Sequence, residues 1–115
     1  MIRKAEQMEH EIKESLRGGK GSVVLTTLLS PGEYLGKARM VARITIEPGN
    51  SIGPHVHDGE EEIFYILGGE ADFNDNGTVC RLVAGDVCLT VGGERHSIAN
   101  AGAATLELLA VILLY

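Results

Sequence analysis

Three of the four histidines in the sequence are placed so that they could share one metal ion. His55 and His57 are two residues apart, and in an extended chain side chains with this spacing project from the same face. Glu62 opens an apolar segment, and His96 follows the Gly92-Gly93 turn. Imidazole nitrogens with one carboxylate suit a divalent transition ion (Mn, Fe, Co, Ni, Cu or Zn), whereas calcium and magnesium prefer oxygen ligands throughout. An isolated His-x-His pair is also common on solvated strands, so the surrounding pattern has to decide.

The elements that must position these side chains are predicted to be short strands joined by tight turns. The chain has 115 residues, which fits one domain, since typical domains hold about 100–150 residues. It is 44% hydrophobic and 23% charged, as in ordinary globular proteins. Fifteen glycines stand against three prolines and no tryptophan, and they separate β-branched and apolar segments. This composition predicts an all-β sandwich or barrel.

The strand pattern is clearest between Ala38 and Ile46, where apolar residues alternate with residues such as Arg39 and Arg43. Strict alternation predicts a strand with one face in the core. Further segments with strand character are Ser22–Leu29, Glu62–Leu67, Glu70–Phe73, Val79–Val83, Val87–Thr90, Ser97–Ala99 and Thr105–Leu114. Residues 22–115 are therefore predicted to form a single barrel domain.

Residues 1–21 are predicted to form a short N-terminal segment, for which two interpretations are open. Met8, Ile12 and Leu16 have helical spacing, whereas Met8, His10 and Ile12 also alternate as in an edge strand. The glycine-rich stretch at 18–21 lacks the spacing of a phosphate-binding loop, so it predicts a turn. The segment is expected to be a short helix or an edge strand.

Charge, cysteine content and hydropathy argue against several classes of protein. The net charge of −6, from 10 basic and 16 acidic residues, is unlike the basic face of a nucleic-acid binder. Cys80 and Cys88 belong to no disulfide framework, and the first residues lack the apolar stretch of a signal peptide, so we expect free thiols and a cytoplasmic location. The apolar segment Leu106–Tyr115 is too short to cross a membrane as a helix and predicts a buried strand.

Two glycine-flanked blocks surround the candidate ligands. The first contains Gly49, His55, His57, Glu62 and Gly69, with Glu61 and Gly68 as an alternative frame for its last two positions. The second contains Gly85, Gly93, His96 and Asn100. These blocks resemble the two motifs of the cupin superfamily, G-x5-H-x-H-x(3,4)-E-x6-G and G-x5-P-x-G-x2-H-x3-N. The one departure is Val91 at the proline position, which affects the rigidity of a turn and not a ligand.

The resemblance implies a double-stranded β-helix, or jelly-roll barrel, that holds one divalent metal ion through His55, His57, Glu62 and His96. Glu62 is preferred over Glu61 because it shares strand parity with Phe64. Four protein ligands on an octahedral ion leave two positions for water, dioxygen or a bidentate acid. A single carboxylate leaves the site positively charged, which favours a small anionic ligand.

The function expected from this resemblance is that of a small metal-dependent enzyme acting on an organic acid or sugar acid. It would be an oxidoreductase of the dioxygenase type, a decarboxylase or an isomerase. A metal-binding or small-ligand-binding module without turnover is the alternative, since cupins span enzymes and binding proteins. The sequence offers no general acid or base beyond the ligands. Its catalytic residues therefore stay unassigned.

Several other residues are candidates for lesser roles. Substrate contacts could come from Tyr34, Tyr65, Arg39, Arg43, Arg81 and Arg95, although strand parity points Arg95 away from the site. Cys88 is expected to be a core thiol, with a position in the lumen as the alternative. His10 is expected at the surface, and Asp86 and Asn100 are expected to fix turns.

The segment Leu106–Leu114 is apolar on both strand faces except at Glu107. One face of a barrel strand fills the lumen, and an apolar outer face also needs a cover. Small cupins commonly pair back to back, so the resemblance implies a homodimer through the terminal strands.

Overall fold

A computed structural model describes all 115 residues, and its strands form two antiparallel sheets. The strands are β1 Glu9–Glu14, β2 Ser22–Leu29, β3 Ala38–Ile46, β4 Ser51–Val56, β5 Glu60–Gly68, β6 Glu70–Asp75, β7 Thr78–Val83, β8 Val87–Thr90, β9 Arg95–Asn100 and β10 Leu106–Leu114. Single 3-10 turns at Ala5–Gln7 and Leu16–Gly18 flank β1. The first sheet has the order β1-β2-β3-β10-β5-β8, and the second has the order β4-β9-β6-β7. The all-β architecture predicted from the sequence is confirmed.

The hydrophobic core lies between the two sheets. It is built by the inward faces of strands from both sheets, among them Ile44, Ile46, Phe64, Ile66, Phe73, Ile98, Leu106 and Leu108. Strand β10 lies between β3 and β5, and its buried residues alternate with half-buried ones. Period-two alternation thus gives β3 and β10 one face toward the lumen and one toward the outside, as the sequence predicted for β3.

Within the N-terminal segment, residues Glu9–Glu14 form the edge strand β1, and short 3-10 turns at Ala5–Gln7 and Leu16–Gly18 flank it. Strand β1 pairs with β2, with His10 opposite Thr26 and Lys13 opposite Val23. The helical spacing of Met8, Ile12 and Leu16 is only a weak preference for an α-helix. Backbone pairing of residues 9–14 with β2 outweighs that preference. No helix in the structure has the length and apolar character needed to cross a membrane.

Strand β4 was not among the predicted strands, although it carries His55. Its sequence contains Gly53-Pro54, which weakens any strand pattern because proline cannot donate to a ladder. The structure accommodates Pro54 because β4 is an edge strand of the second sheet, paired only with β9.

Candidate metal centre

Four side chains from three strands and one loop converge at one end of the lumen. His55 lies in β4 directly opposite His96 in β9, so the ladder itself brings these two imidazoles together. His57 follows the end of β4, and Glu62 projects inward from β5. One ligand atom from each of the four lies within 4.8 Å of all the others. The structure therefore brings together the whole set that the sequence predicted.

The distances within the cluster are those of atoms directed at a common centre. His96 Nε2 lies 3.0 Å from both His55 Nε2 and His57 Nε2. Glu62 Oε1 lies 2.9 Å from His57 Nε2 and 3.2 Å from His96 Nε2. Three imidazole nitrogens this close repel one another unless a proton or a metal cation lies among them.

The opposite ring nitrogens are occupied, which sets the tautomer of two histidines. His55 Nδ1 donates to the Gly53 carbonyl oxygen at 2.8 Å, and His57 Nδ1 donates to the Glu60 carboxylate at 3.1 Å. His96 Nδ1 lies 2.7 Å from the Thr90 hydroxyl. Neutral His55 and His57 therefore carry their protons on Nδ1 and turn an unprotonated Nε2 to the centre. This is the usual arrangement around a protein metal ion, where an outer hydrogen bond orients each imidazole.

Burial and charge act in opposite directions on the ionisable groups of the cluster. Burial disfavours the Glu62 carboxylate, but hydrogen bonds from His57 and His96 outweigh it and hold the pKa of Glu62 below its usual value. The hydrogen bond that His57 donates to Glu62 raises the pKa of His57 despite the cost of burial. Burial lowers the pKa of His55. His57 and Glu62 thus each favour the charged form of the other.

These observations fit a divalent transition ion. The donor set is three imidazoles and one carboxylate, the tautomers of two rings are fixed for ligation, and three of the four side chains are at most 4% exposed. Phe64 stacks on the His96 ring at a centroid distance of 5.2 Å, which adds an apolar wall to the site. The residues present could hold such an ion without rearrangement of their donors.

Glu61, the alternative ligand, does not reach the cluster. In the β5–β10 ladder it lies opposite Leu113, on the outer face of the first sheet. Glu60, which sequence reasoning missed, shares parity with Glu62 and is bound by both His57 and Arg39. The same alternation that selected Glu62 could have placed Glu60 on the inner face.

A cavity of about 190 Å³ opens from the cluster toward the N-terminal edge of the first sheet. His55, His57 and Glu62 line its floor. Its other lining residues are apolar, namely Leu16, Leu25, Met40, Ile44, Ile52, Phe64 and Ile112, or cationic, namely Lys13, Arg17 and Arg39. Only Arg39 of these cations was a candidate in the sequence, because the N-terminal segment gave no sign that it folds over the lumen.

The remaining candidates for substrate contacts lie away from this cavity. Arg81 forms surface ion pairs with Asp72 and Glu70, and Arg95 is exposed, as strand parity predicted. The Tyr34 hydroxyl donates to the Ala38 carbonyl oxygen. Tyr65 and Arg43 lie on the outer face of the first sheet, each opposite Leu109 in its ladder.

The turn that carries the altered motif position is held by hydrogen bonds. The Val91 N–H, which a proline would lack, donates to the Glu94 carboxylate at 3.0 Å, and the Glu94 N–H donates to the Val91 carbonyl oxygen at 3.1 Å. The Gly93 N–H donates to the His57 carbonyl oxygen at 2.7 Å. The turn is thereby fixed against the loop of a candidate ligand, in place of the rigidity that proline would give.

The residues expected to fix turns or fill the core do so. Asn100 donates to the carbonyl oxygens of Ile46 and Ala104, and the Asp86 carboxylate accepts from the Val83 N–H. Cys88 packs against the core, and burial raises the pKa of its thiol to about 12, so it is unreactive near neutral pH. His10 is exposed, with its Nδ1 2.7 Å from the Thr26 hydroxyl.

Comparison with known proteins identifies the family to which the chain and its four candidate ligands belong. The family of cupin domains matches residues 42–112, which include all four candidate ligands. The chain belongs to the cupin family. An oxalate-binding protein of Thermotoga maritima is 48% identical to this cupin over 114 residues, which cover 99% of this chain and 94% of that protein.

Solved structures agree on the fold. The crystal structure of a protein from Thermotoga maritima, described as a predicted oxalate decarboxylase, superposes with a TM-score of 0.96 at 48% identity and covers all of both chains. A putative sugar phosphate isomerase from Acidithiobacillus ferrooxidans superposes with a TM-score of 0.80 at 24% identity, over 99% of this cupin and 75% of that chain. The second likeness concerns the fold alone. The predicted double-stranded β-helix is confirmed.

Proposed function

We propose that this cupin binds a divalent transition-metal ion through His55, His57, Glu62 and His96, and binds a small dicarboxylic acid of the oxalate type beside it. The observation that carries the proposal is the cavity, which has three of the four candidate ligands on its floor and cationic side chains around it. A volume of about 190 Å³ suits a small organic acid better than a nucleotide or a sugar phosphate. The similar protein named for oxalate binding supports the same choice of ligand.

The charge of the site favours an anion although the chain is acidic as a whole. Three imidazoles contribute no negative charge, so a bound divalent ion would keep a net positive charge beside the single Glu62 carboxylate. Such an ion would act as a Lewis acid toward a carboxylate oxygen. Lys13, Arg17 and Arg39 add positive charge along the same cavity. The metal ion and the three cationic side chains together would attract an anionic acid, although the net charge of the protein is negative.

Binding without turnover is the function that the cavity supports best. Decarboxylation of oxalate to formate and carbon dioxide consumes one proton, which must be placed on the carbon that becomes formate. Isomerisation of a sugar acid needs a base beside the substrate. Outside the ligand set, no carboxylate or imidazole lines the cavity. Lys13 is the one lining group other than arginine that could transfer a proton.

Decarboxylation is the second candidate, because a neighbour with a TM-score of 0.96 is described as a predicted oxalate decarboxylase. The two functions separate in one experiment on protein loaded with manganese, iron, cobalt, nickel, copper or zinc. Calorimetric titration with oxalate measures binding, and enzymatic detection of formate measures turnover. Saturable binding without formate supports the binding function, whereas stoichiometric formate and carbon dioxide establish the enzyme. Absence of both metal and oxalate binding contradicts the proposal as a whole.

We further propose that the cupin forms a homodimer through the outer face of the first sheet. Val87, Leu89 and Leu67 are each at least 47% exposed there, beside the half-buried Leu109 and Val111 of β10. The ladders align these side chains in two apolar rows, because Leu109 lies opposite Tyr65 and Val111 opposite Ile63. An apolar surface that continues across three neighbouring strands is typical of an isologous interface.

A further inference from the structure

The cations of the cavity differ in whether they are free to bind a ligand. Arg39 makes three hydrogen bonds to the Glu60 carboxylate, at 2.8 to 3.1 Å. Lys13 lies 3.0 Å from the Glu11 carboxylate. The Arg17 guanidinium, by contrast, makes no hydrogen bond and no ion pair with the protein, and Arg17 is an exposed residue that lines the same cavity as His55, His57 and Glu62. Arg17 is therefore the one uncommitted cation of the site.

The backbone at Arg17 is held in a conformation that L-residues avoid. Arg17 has φ 55° and ψ 29°, and Ser15 two residues earlier has φ 47° and ψ 44°. The turn closes through hydrogen bonds from Gly18 N–H to the Ser15 oxygen and from Gly19 N–H to the Leu16 oxygen. Left-handed residues that are neither glycine nor asparagine persist where the surroundings enforce them, and they cluster at functional sites.

Two glycines enforce the position of this turn against β4. A Cβ at Gly53 would lie 2.1 Å from the Arg17 carbonyl oxygen, and one at Gly19 would lie 2.2 Å from the Ser51 carbonyl oxygen. The backbone of the turn and the backbone of β4 are therefore so close that a side chain at Gly19 or Gly53 would collide with the opposite segment. Gly53 is two residues before His55, and its carbonyl oxygen orients the His55 ring. One segment of β4 thus positions both a candidate metal ligand and the free arginine.

We propose that Arg17 is a specificity-determining residue that binds the anionic group of the ligand at the cavity mouth. This inference rests on the proposed function and adds the residue that selects the ligand. A guanidinium presents a planar set of donors that matches a carboxylate with two parallel hydrogen bonds. The N-terminal segment, which lies outside the family motifs, then sets which acids bind. A small dicarboxylate would be preferred over a monocarboxylate of similar size.

The test measures binding of oxalate and of acetate to the manganese-loaded protein by calorimetry, with metal content determined on the same samples. Arg17→Ala should weaken oxalate binding about tenfold or more, since hydrogen bonds between charged groups are worth that much. Acetate binding should change less, and metal content should not change. Arg17→Lys should restore only part of the oxalate affinity, because an ammonium lacks the planar pair of donors. Arg95→Ala, which removes an exposed arginine outside the cavity, is the matched control and should leave both measurements at the wild-type level.

A second variant separates ligand binding from a structural role. Arg17→Gly removes the side chain and also relieves the left-handed backbone, so its melting temperature should be no lower than that of the wild type while its oxalate affinity falls. A variant that melts earlier or loses metal would assign Arg17 a structural role and overturn the inference. So would unchanged oxalate affinity in Arg17→Ala, and the proposed function would then still stand. If the wild-type protein binds metal but none of the acids, the proposed function itself fails, and the role of Arg17 fails with it.

Discussion

The Tyr115 hydroxyl accepts a hydrogen bond from the Gly92 backbone N–H at 2.7 Å, and this contact joins strand β10 to the turn before His96. The backbone N–H of Tyr115 also donates to the Gly59 carbonyl oxygen, in the loop between His57 and Glu62. One residue therefore connects the two loops that position the candidate ligands. A Cβ at Gly92 would lie 2.7 Å from the Tyr115 ring, so the glycine is required for this contact.

Tyr115→Phe should loosen this connection without disturbing the core. The hydroxyl contributes about 0.5–1.5 kcal/mol as an ordinary hydrogen bond, and its exposure places the effect at the lower end. We expect a small fall in melting temperature and a measurable loss of metal affinity, because two ligand loops gain freedom. Thermal unfolding and a metal titration check both effects. A phenylalanine variant with unchanged metal affinity would limit the role of Tyr115 to packing.

The candidate ligands are tested one at a time by removal. Alanine at His55, His57, Glu62 or His96 should abolish most metal binding, since each substitution removes one of four converging donors. Glu61→Ala should retain metal, because Glu61 lies on the outer face opposite Leu113. Elemental analysis of the purified variants is the measurement. Equal loss in the two glutamate variants would contradict the assignment of Glu62, and full retention in His96→Ala would remove His96 from the set.

Glu60 should matter for metal affinity although it is not a ligand. Its carboxylate accepts from His57 Nδ1 and is held by Arg39, so it fixes the direction of the His57 Nε2 lone pair. Loss of such an orienting partner typically costs about 10–100-fold in metal affinity. Glu60→Ala should fall in this range in a competition assay with a chelator. Wild-type affinity in this variant, with Glu61→Ala as the neighbouring control, would show that His57 is oriented without it.

Much of the site could be predicted because it depends on local pattern. Strand parity put His55 and His57 on one face and favoured Glu62 over Glu61, and the resemblance to the cupin motifs implied the full set with His96. Strand β4 could not be predicted, because Pro54 breaks the pattern and is tolerated only at a sheet edge. Arg17 was missed for a different reason. Its place in the cavity depends on pairing of β1 with β2 and on contact between Gly19 and Gly53, which no local spacing encodes.

Metal should stabilise the protein more at alkaline than at acidic pH. The raised pKa of His57 means that its charged form stabilises the metal-free fold below the ordinary value of 6.5, and this contribution is lost as the pH rises through the higher folded-state value. The lowered pKa of Glu62 means that its contribution is present above 4.5 and is lost as the pH falls through the lower folded-state value. Protons therefore compete with metal for these side chains as the pH falls.

The measurement is the rise in melting temperature on adding manganese or zinc at several pH values. The rise should be larger at about pH 8 than at about pH 5.5, because binding requires neutral imidazoles. The His57→Ala variant should show little rise at either pH. A rise of constant size across this range in the wild-type protein would contradict ligation by histidine.

The last prediction concerns the outer face of the first sheet. Leu109 and Val111 lie in apolar rows that continue to the exposed Val87 and Leu89 of β8. A lysine at Leu109 or Val111 would place a charge in the middle of the proposed dimer interface, where an unpaired charge is strongly unfavourable. Each variant should therefore give monomers or aggregates, whereas Arg81→Lys, on the other sheet, should keep the wild-type assembly. Light scattering at micromolar concentration measures the mass, and a clean monomer of 12.3 kDa for the unmodified chain would rule the dimer out.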